Sequence, residues 1–314
     1  MNHNSNQKPL HEERQGVIVA HLGIAVEVLF NADGQRQIIR VKRNSGHVVG
    51  DNVTVRGEVL TRLERRSELN RMNARGTRHT VGANLDTLCI VVACEPLAPP
   101  GFIDRAIVTA RTARLQPVLL INKSDLPASE KYVSEIYKIY SDSLQLYTLS
   151  AVSGAGLDLF QDCFRQDVRG IFVGPTGVGK SSLLNALCPS VTLQTRPLNE
   201  SKKRGRHTTT VSTLHSLKDG GELIDSPGFN DFGLVDISVF DLAFHFPGFE
   251  KAREKNCGFR DCLHRSEPGC VITEMVTQQK ISRDRYMIYA GMLHELEALT
   301  TEFRYREKNK RRKK

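Results

Sequence analysis

Two stretches constrain this chain more than any others, and their order is inverted. GPTGVGKSS, residues 174–182, fits G-x-x-x-x-G-K-[ST] between a strand-like segment, GIFV, and a helix-forming one, LLNALC. Glycines at those places let successive backbone N–H groups turn toward one point, and the helix N-terminus adds partial positive charge, which makes a cradle for phosphate. VLLINKSDLP, residues 118–127, is a strand running into N-K-x-D. The Asp125 carboxylate presents only acceptors, so it matches the N1–H and exocyclic amine of guanine. Adenine would leave that carboxylate unpaired, a mismatch that can discriminate by roughly four orders of magnitude. In most chains carrying both motifs the cradle comes first. Here the order is base reader, Ser150-Ala151, cradle, GRHTTT and then D-x-x-G, which is a circular permutation. Domain termini often lie close together, so joining them and cutting elsewhere leaves a sheet intact.

Each motif assigns candidate roles. Gly174, Pro175, Thr176, Gly177, Val178, Gly179, Lys180, Ser181 and Ser182 form the cradle, with Lys180 on the β- and γ-phosphates and the Ser181 hydroxyl on Mg²⁺. Asn122 braces the base-reading loop, the Lys123 stem covers the base plane, and Ser150-Ala151 offers a backbone N–H to guanine O6. In Asp225-Ser226-Pro227-Gly228, Asp225 is expected to hold Mg²⁺ through a water and the Gly228 N–H to reach the γ-phosphate. GTP or GDP with Mg²⁺ is therefore the expected cofactor.

A second cluster lies further on. Cys257-x4-Cys262-x-His264-x5-Cys270 puts three thiols and an imidazole within 14 residues of polar chain. Four such ligands suit one structural, tetrahedral Zn²⁺ per subunit with no open position. Cys89, Cys94, Cys163 and Cys188 lie in or beside apolar segments and read as packing residues. Seven cysteines without an apolar leader point to a reducing, cytoplasmic setting. No run is long and apolar enough for a membrane span.

Between these motifs the pattern divides the chain. Residues 1–14 are polar and expected to be disordered. Residues 15–65 read as short strands around the turn signal NADGQ, an OB-like β-barrel with an SH3-like barrel as the alternative. A basic linker is expected at 66–80 and an α/β GTPase domain at 81–235. A zinc-binding helical domain follows at 236–305, with a helix over about 281–305 whose Tyr289, Met292, Leu293, Leu296, Leu299 and Phe303 share one face. Eight basic residues and one acidic residue in the tail 304–314 supply +7 of the net charge of +9, so the body is close to neutral. Local basic runs at 61–78 and 201–206 nevertheless favour a polyanion, RNA first.

The permuted order, the preceding barrel, GRHTTT at 205–210 and the Cys/His cluster together resemble the circularly permuted, ribosome small-subunit-dependent GTPases of bacteria, the RsgA/YjeQ family, over roughly residues 15–305. The resemblance implies an OB barrel, a permuted GTPase domain and a zinc-bearing helical domain. It also implies docking on the small ribosomal subunit and its rRNA, and GTP hydrolysis stimulated by that subunit and coupled to late subunit maturation and release. A monomer with no membrane association is expected. Thr209, with Thr208 beside it, is expected to close over Mg²⁺ and the γ-phosphate. Phe229, after the D-x-x-G element, cannot orient water by hydrogen bonding, so intrinsic turnover should be slow. The D-x-x-G segment runs directly into the C-terminal domain, so its movement on hydrolysis should pull on that domain. The alternative reading is a GTP-regulated binding module held to a membrane surface or a protein partner by its basic tail.

Overall fold

The computed structural model describes residues 12–42, 44–72, 77–164, 168–188, 211–218, 220–225 and 233–311, with side chains as far as residue 300. Thr208, Thr209, Gly228 and Phe229 lie outside the described residues, as do residues 1–11, the basic run 201–206 and residues 312–314.

The N-terminal strands are β1 (Arg14–His21), β2 (Ala25–Phe30), β3 (Arg36–Arg40), β4 (Asn52–Arg56) and β5 (Val59–Arg62). They pair antiparallel in the order β5-β4-β1-β2-β3, a partly open five-stranded barrel. Ile18, Val26, Val28, Phe30, Ile39, Val53 and Val55 close its interior. A bulge between Ile18 and Ala20 bends β1, which pairs with β4 before the bulge and with β2 on both sides of it.

Beyond the barrel, β6 (Glu68–Met72) and β7 (Arg78–Ala83) form a separate antiparallel hairpin. The stretch 66–80, read from its charge as a linker, thus contains paired strands. Its polar composition hid the alternation: only Leu69 and Asn70 of β6 are buried.

The α/β domain has β8 (Thr87–Ala93), α1 (Phe102–Thr112), β9 (Gln116–Asn122), α2 (Ser129–Tyr140), β10 (Gln145–Thr148), α3 (Leu157–Gln161), β11 (Arg169–Val173), α4 (Lys180–Leu187), β12 (Thr213–Ser216) and β13 (Glu222–Asp225). Strands β10-β9-β8-β11-β13 run parallel, and β12 lies antiparallel to β13. Alternation along β8 sends Leu88, Ile90 and Val92 to the face covered by α1 and α2, and Cys89, Val91 and Ala93 to the face covered by α3 and α4. Cys89 and Cys188 pack in the second of these cores, as expected of plain apolar residues.

Barrel and GTPase sheet are continuous. Ala20 of β1 pairs with Thr213 of β12, and the His21 N–H donates to the Ser212 carbonyl at 3.3 Å, which joins eleven strands in one sheet.

The C-terminal part holds α5 (Leu242–His245), α6 (Val271–Thr277) and α7 (Arg283–Arg311). Tyr289, Met292, Leu293 and Leu296 of α7 pack with Phe246 and Phe249, and Val108 of α1 joins them. Leu299 of the expected stripe is 37% exposed, and Phe303 lies outside the described side chains. Helix α7 also continues through Arg311, into the stretch read as a tail. Arg105 bonds Glu295 through both carboxylate oxygens, at 2.9 and 2.6 Å, and so ties α1 to α7.

Candidate nucleotide site and metal centre

The motif loops all leave the C-terminal ends of parallel strands. The chain proceeds outward from β8 through β9 to β10 and then returns to the other side of β8 as β11. That reversal is where open α/β sheets bind ligands. The base-reading loop follows β9, Ser150-Ala151 follows β10, the cradle follows β11, and Asp225 ends β13.

Asn122 links three of these loops. Its side-chain amide donates to the Val178 carbonyl at 2.8 Å, and its Oδ1 accepts from the Ala151 N–H at 3.2 Å. The residue is 1% exposed, so these bonds replace water outright. Gly179 sits against it at φ 97°, and a Cβ there would stand 2.3 Å from Asn122 Nδ2. Only glycine satisfies both the left-handed backbone and that approach.

The Ser150 hydroxyl donates to Asp125 Oδ1 and accepts the Val152 and Ser153 N–H groups at 3.2 and 3.1 Å. Asp125 is otherwise exposed, with its carboxylate turned by a serine that is itself wholly buried. Lys123 adopts φ 64°, and its ammonium donates to the Glu95 carbonyl at 2.7 Å, which anchors its stem to the loop after β8.

In the cradle, the Lys180 ammonium donates to the Gly174 and Pro175 carbonyls at 2.6 and 2.9 Å. Burial pushes its pKa down to about 8, opposed by the negative charge of Asp225. The ammonium is thus desolvated and held by two loop carbonyls, at the place where the cradle motif expects phosphate oxygens. Asp225 is 4% exposed and near enough to Lys180 for its charge to be felt, which suits a carboxylate serving a cation and phosphate site. Ser181 and Ser182 open α4, half-buried.

The second site is compact. Ligand atoms of Cys257, Cys262, His264 and Cys270 lie within 4.8 Å of one another, and His264 Nδ1 is 3.6 Å from Cys257 Sγ and 3.4 Å from Cys270 Sγ. A tetrahedron of ~2.1–2.3 Å bonds has edges of about 3.5–3.8 Å, so the donor set and spacing are compatible with zinc. Burial, and then the neighbouring Cys270 and Cys257 sulfurs, push the Cys262 thiol up, so a cation beside it would favour its thiolate.

Sequence reasoning missed three supporting residues. Glu267 accepts N–H groups from Leu263, Arg265 and Ser266 at 2.8, 2.7 and 3.1 Å. Burial alone would raise its pKa, yet these bonds bring it down to about 2. Tyr286 and Tyr289 donate to the His264 and Leu263 carbonyls at 2.9 and 3.1 Å. A carboxylate between Cys262 and Cys270 was the available signal for Glu267; Tyr289 carried none beyond its place on the expected stripe, and Tyr286 carried none.

The family model for the RsgA GTPase matches residues 62–235. Proteins named small ribosomal subunit biogenesis GTPase RsgA are similar over most of the chain. The one from Chromohalobacter salexigens is 37% identical over 92% of this chain and 87% of its own length. That of Pseudomonas aeruginosa is 37% identical over 90% and 85%. Among solved structures, YjeQ from Thermotoga maritima superposes with a TM-score of 0.72 at 30% identity, covering 91% of this chain and 99% of that one. YloQ, described as a circularly permuted GTPase, gives 0.65 at 25% identity, covering 94% and 98%. Joined to the permuted loops that Asn122 ties together, these likenesses show that the chain belongs to the RsgA family of circularly permuted GTPases.

Proposed function

We propose that this GTPase acts on the small ribosomal subunit, binding its rRNA and coupling GTP hydrolysis to late subunit maturation and to its own release. The relatives' names carry the partner. The observation that supports the nucleotide chemistry is the pair of hydrogen bonds at Asn122, whose amide donates to the Val178 carbonyl and whose Oδ1 accepts from the Ala151 N–H, tying base reader to cradle at one end of the sheet.

In this reading Asp125 pairs with guanine, oriented by Ser150, and the Ser150-Ala151 loop faces guanine O6. Lys180 leaves the Gly174 and Pro175 carbonyls for the phosphates. Ser181, Asp225 and Thr209 attend Mg²⁺, and the Gly228 N–H meets the γ-phosphate. One structural Zn²⁺ is held by Cys257, Cys262, His264 and Cys270. The protein works as a cytoplasmic monomer, with basic segments adding salt-dependent attraction to RNA. Among the described residues no helix is long and apolar enough to cross a membrane.

Phe229 in place of a water-orienting side chain makes intrinsic turnover slow and partner stimulation large. The deciding experiment is GTP turnover with and without purified small subunits, beside cosedimentation in GDP and in a non-hydrolysable GTP analogue. Stimulated turnover and analogue-dependent cosedimentation are expected. Equal rates and no cosedimentation would leave the reading without support.

A further inference from the structure

One strand, β12, lies between the barrel and the strand that ends in Asp225. Its residue Thr213 has two cross-strand partners, Asp225 of β13 on one side and Ala20 of β1 on the other. The backbone there is held from both edges, so only the side chain is left to choose a direction. Alternation along β12 sends Leu214 into the core covered by α1 and α2, so Thr213 and His215 face the opposite side. Along β13, Ile224 enters that same core, while Leu223 enters the core covered by α3 and α4. Asp225 therefore shares a face with Thr213 and His215, on the side of the cradle, where Lys180 feels its charge. Residues directly opposed on antiparallel strands have Cβ atoms about 4.5–5.5 Å apart. The Thr213 side chain thus stands beside a buried carboxylate that, in the reading above, attends Mg²⁺.

The Thr213 hydroxyl is not left to rotate. Its Oγ1 lies 2.7 Å from His215 Nε2, a hydrogen bond along one face of the strand. A branched Cβ gives threonine few χ1 choices, and this bond selects one of them. His215 is itself half-buried, opposite the wholly buried Leu223, which limits the freedom of the ring. A hydroxyl has one proton and two lone pairs, so the bond to His215 leaves capacity on the Asp225 side. With a proton on Nε2, the Thr213 O–H is free to donate to the carboxylate. Without one, the Oγ1 lone pairs are free to accept from water. Mg²⁺ bound by one or two carboxylates keeps several of its waters, and their protons need acceptors close to those carboxylates.

We propose that Thr213, aimed by His215, is a positioning residue that fixes the Asp225 carboxylate and the water around it, and so raises the affinity of the nucleotide-bound protein for Mg²⁺. The inference rests on the reading of Asp225 as the carboxylate that attends the ion. Its path is short: His215 bonds Thr213, and Thr213 is the direct cross-strand neighbour of Asp225.

The test uses the full chain loaded with a fluorescent GDP analogue, whose release is followed as Mg²⁺ is titrated. Thr213→Val keeps the shape and the strand preference and removes only the hydroxyl. It should need about tenfold more Mg²⁺ for half-maximal slowing of release, the size expected for one hydrogen bond to a charged group. Its affinity for the analogue in EDTA should equal that of the wild type. Thr213→Ser, which keeps the hydroxyl, should stay close to the wild type. His215→Phe should resemble Thr213→Val, and the double variant should need no more Mg²⁺ than Thr213→Val alone, because both substitutions break one chain of contacts. Three results each overturn the proposal: an unchanged Mg²⁺ requirement in Thr213→Val, an affinity that falls equally with and without Mg²⁺, which marks a merely structural role, or effects of the two substitutions that add. If release from the wild type ignores Mg²⁺, the reading of Asp225 falls and takes the inference with it. A Mg²⁺-dependent wild type beside an unaffected Thr213→Val removes the inference alone.

Discussion

Asp104 and Arg285 meet across the boundary between the GTPase domain and the C-terminal domain, 3.3 Å apart and almost dry, with side chains 1% and 11% exposed. The contact is an ion pair without the alignment of a hydrogen bond. Tyr140 completes it by donating to Asp104 Oδ2 at 2.8 Å, and the guanidinium stacks over the Tyr140 ring at 4.8 Å while its Nε donates to the Pro247 carbonyl. Burial pushes the Asp104 carboxyl above its ordinary range, and Arg285 and Tyr140 pull it back down.

Removing one partner from such a pair leaves an uncompensated buried charge. Arg285→Met should cost about 3–5 kcal/mol at pH 7. Because the folded-state pKa of Asp104 is raised, its proton favours the folded form, and that stability is lost as pH rises through the folded pKa. The variant's deficit, compared at pH 7 and pH 5, should therefore shrink on acidification, which favours the proton that burial favours on Asp104. Urea denaturation of wild type and variant at both pH values checks this, and a deficit that grows on acidification would contradict it.

Lys180 gives the nucleotide site a pH signature. Its pKa is brought down to about 8 in the ligand-free protein, chiefly by burial, and phosphate must raise it again. GTP binding should take up a proton near pH 8.5, and affinity should fall between pH 8 and 9 by up to about tenfold per unit. Calorimetry in two buffers of different ionisation enthalpy counts the proton. Lys180→Arg, whose guanidinium does not titrate in this range, should flatten the profile whatever it does to affinity.

Base selectivity should reside in one carboxylate. Asp125→Asn replaces paired acceptors by an amide, so GTP should weaken by at least about a hundredfold while xanthosine triphosphate, with N1–H and a 2-oxo group, gains. Ser150→Ala leaves the Asp125 carboxylate unaimed and should weaken GTP by a smaller factor, about tenfold. Competition binding with the two nucleotides measures both; unchanged preference in Asp125→Asn would exclude this residue as base reader.

Zinc should account for the C-terminal core. Cys262 and Cys270 lie in the same cluster as Phe246, Phe249 and Tyr289, so losing the ion should loosen that whole core. Elemental analysis should find one zinc per chain in the wild type and none in Cys262→Ser. Structural zinc contributes about 10–16 kcal/mol in small zinc-folded units, so strong chelation should melt the C-terminal helices before the GTPase sheet. Helix loss followed by circular dichroism, beside retained GTP binding, would show that order.

Much of the site was legible because its chemistry depends on short local patterns. G-x-x-x-x-G-K-S needs its glycines for backbone torsion, N-K-x-D needs a carboxylate after a strand, and three cysteines with a histidine sit within 14 residues. The inner strands β8 and β9 were equally clear, because burial on both faces demands continuous apolar runs such as LCIVVA and VLLIN. The hairpin at 68–83 was not, since its exposed face is basic and only two residues of β6 are buried.

Residue types and spacing thus singled out the loops expected to carry phosphate, base and metal chemistry, and showed that their order is permuted, because those patterns lie within a few residues of chain. Tertiary structure alone decided that Asn122 reaches Val178, 56 positions away, that Ala20 pairs with Thr213, and that Asn70 and Arg78 grip Asp236. Each is a single hydrogen bond or pairing between remote polar groups. Such contacts leave no periodic trace in a sequence; they exist only once the packed sheet has brought their backbones together.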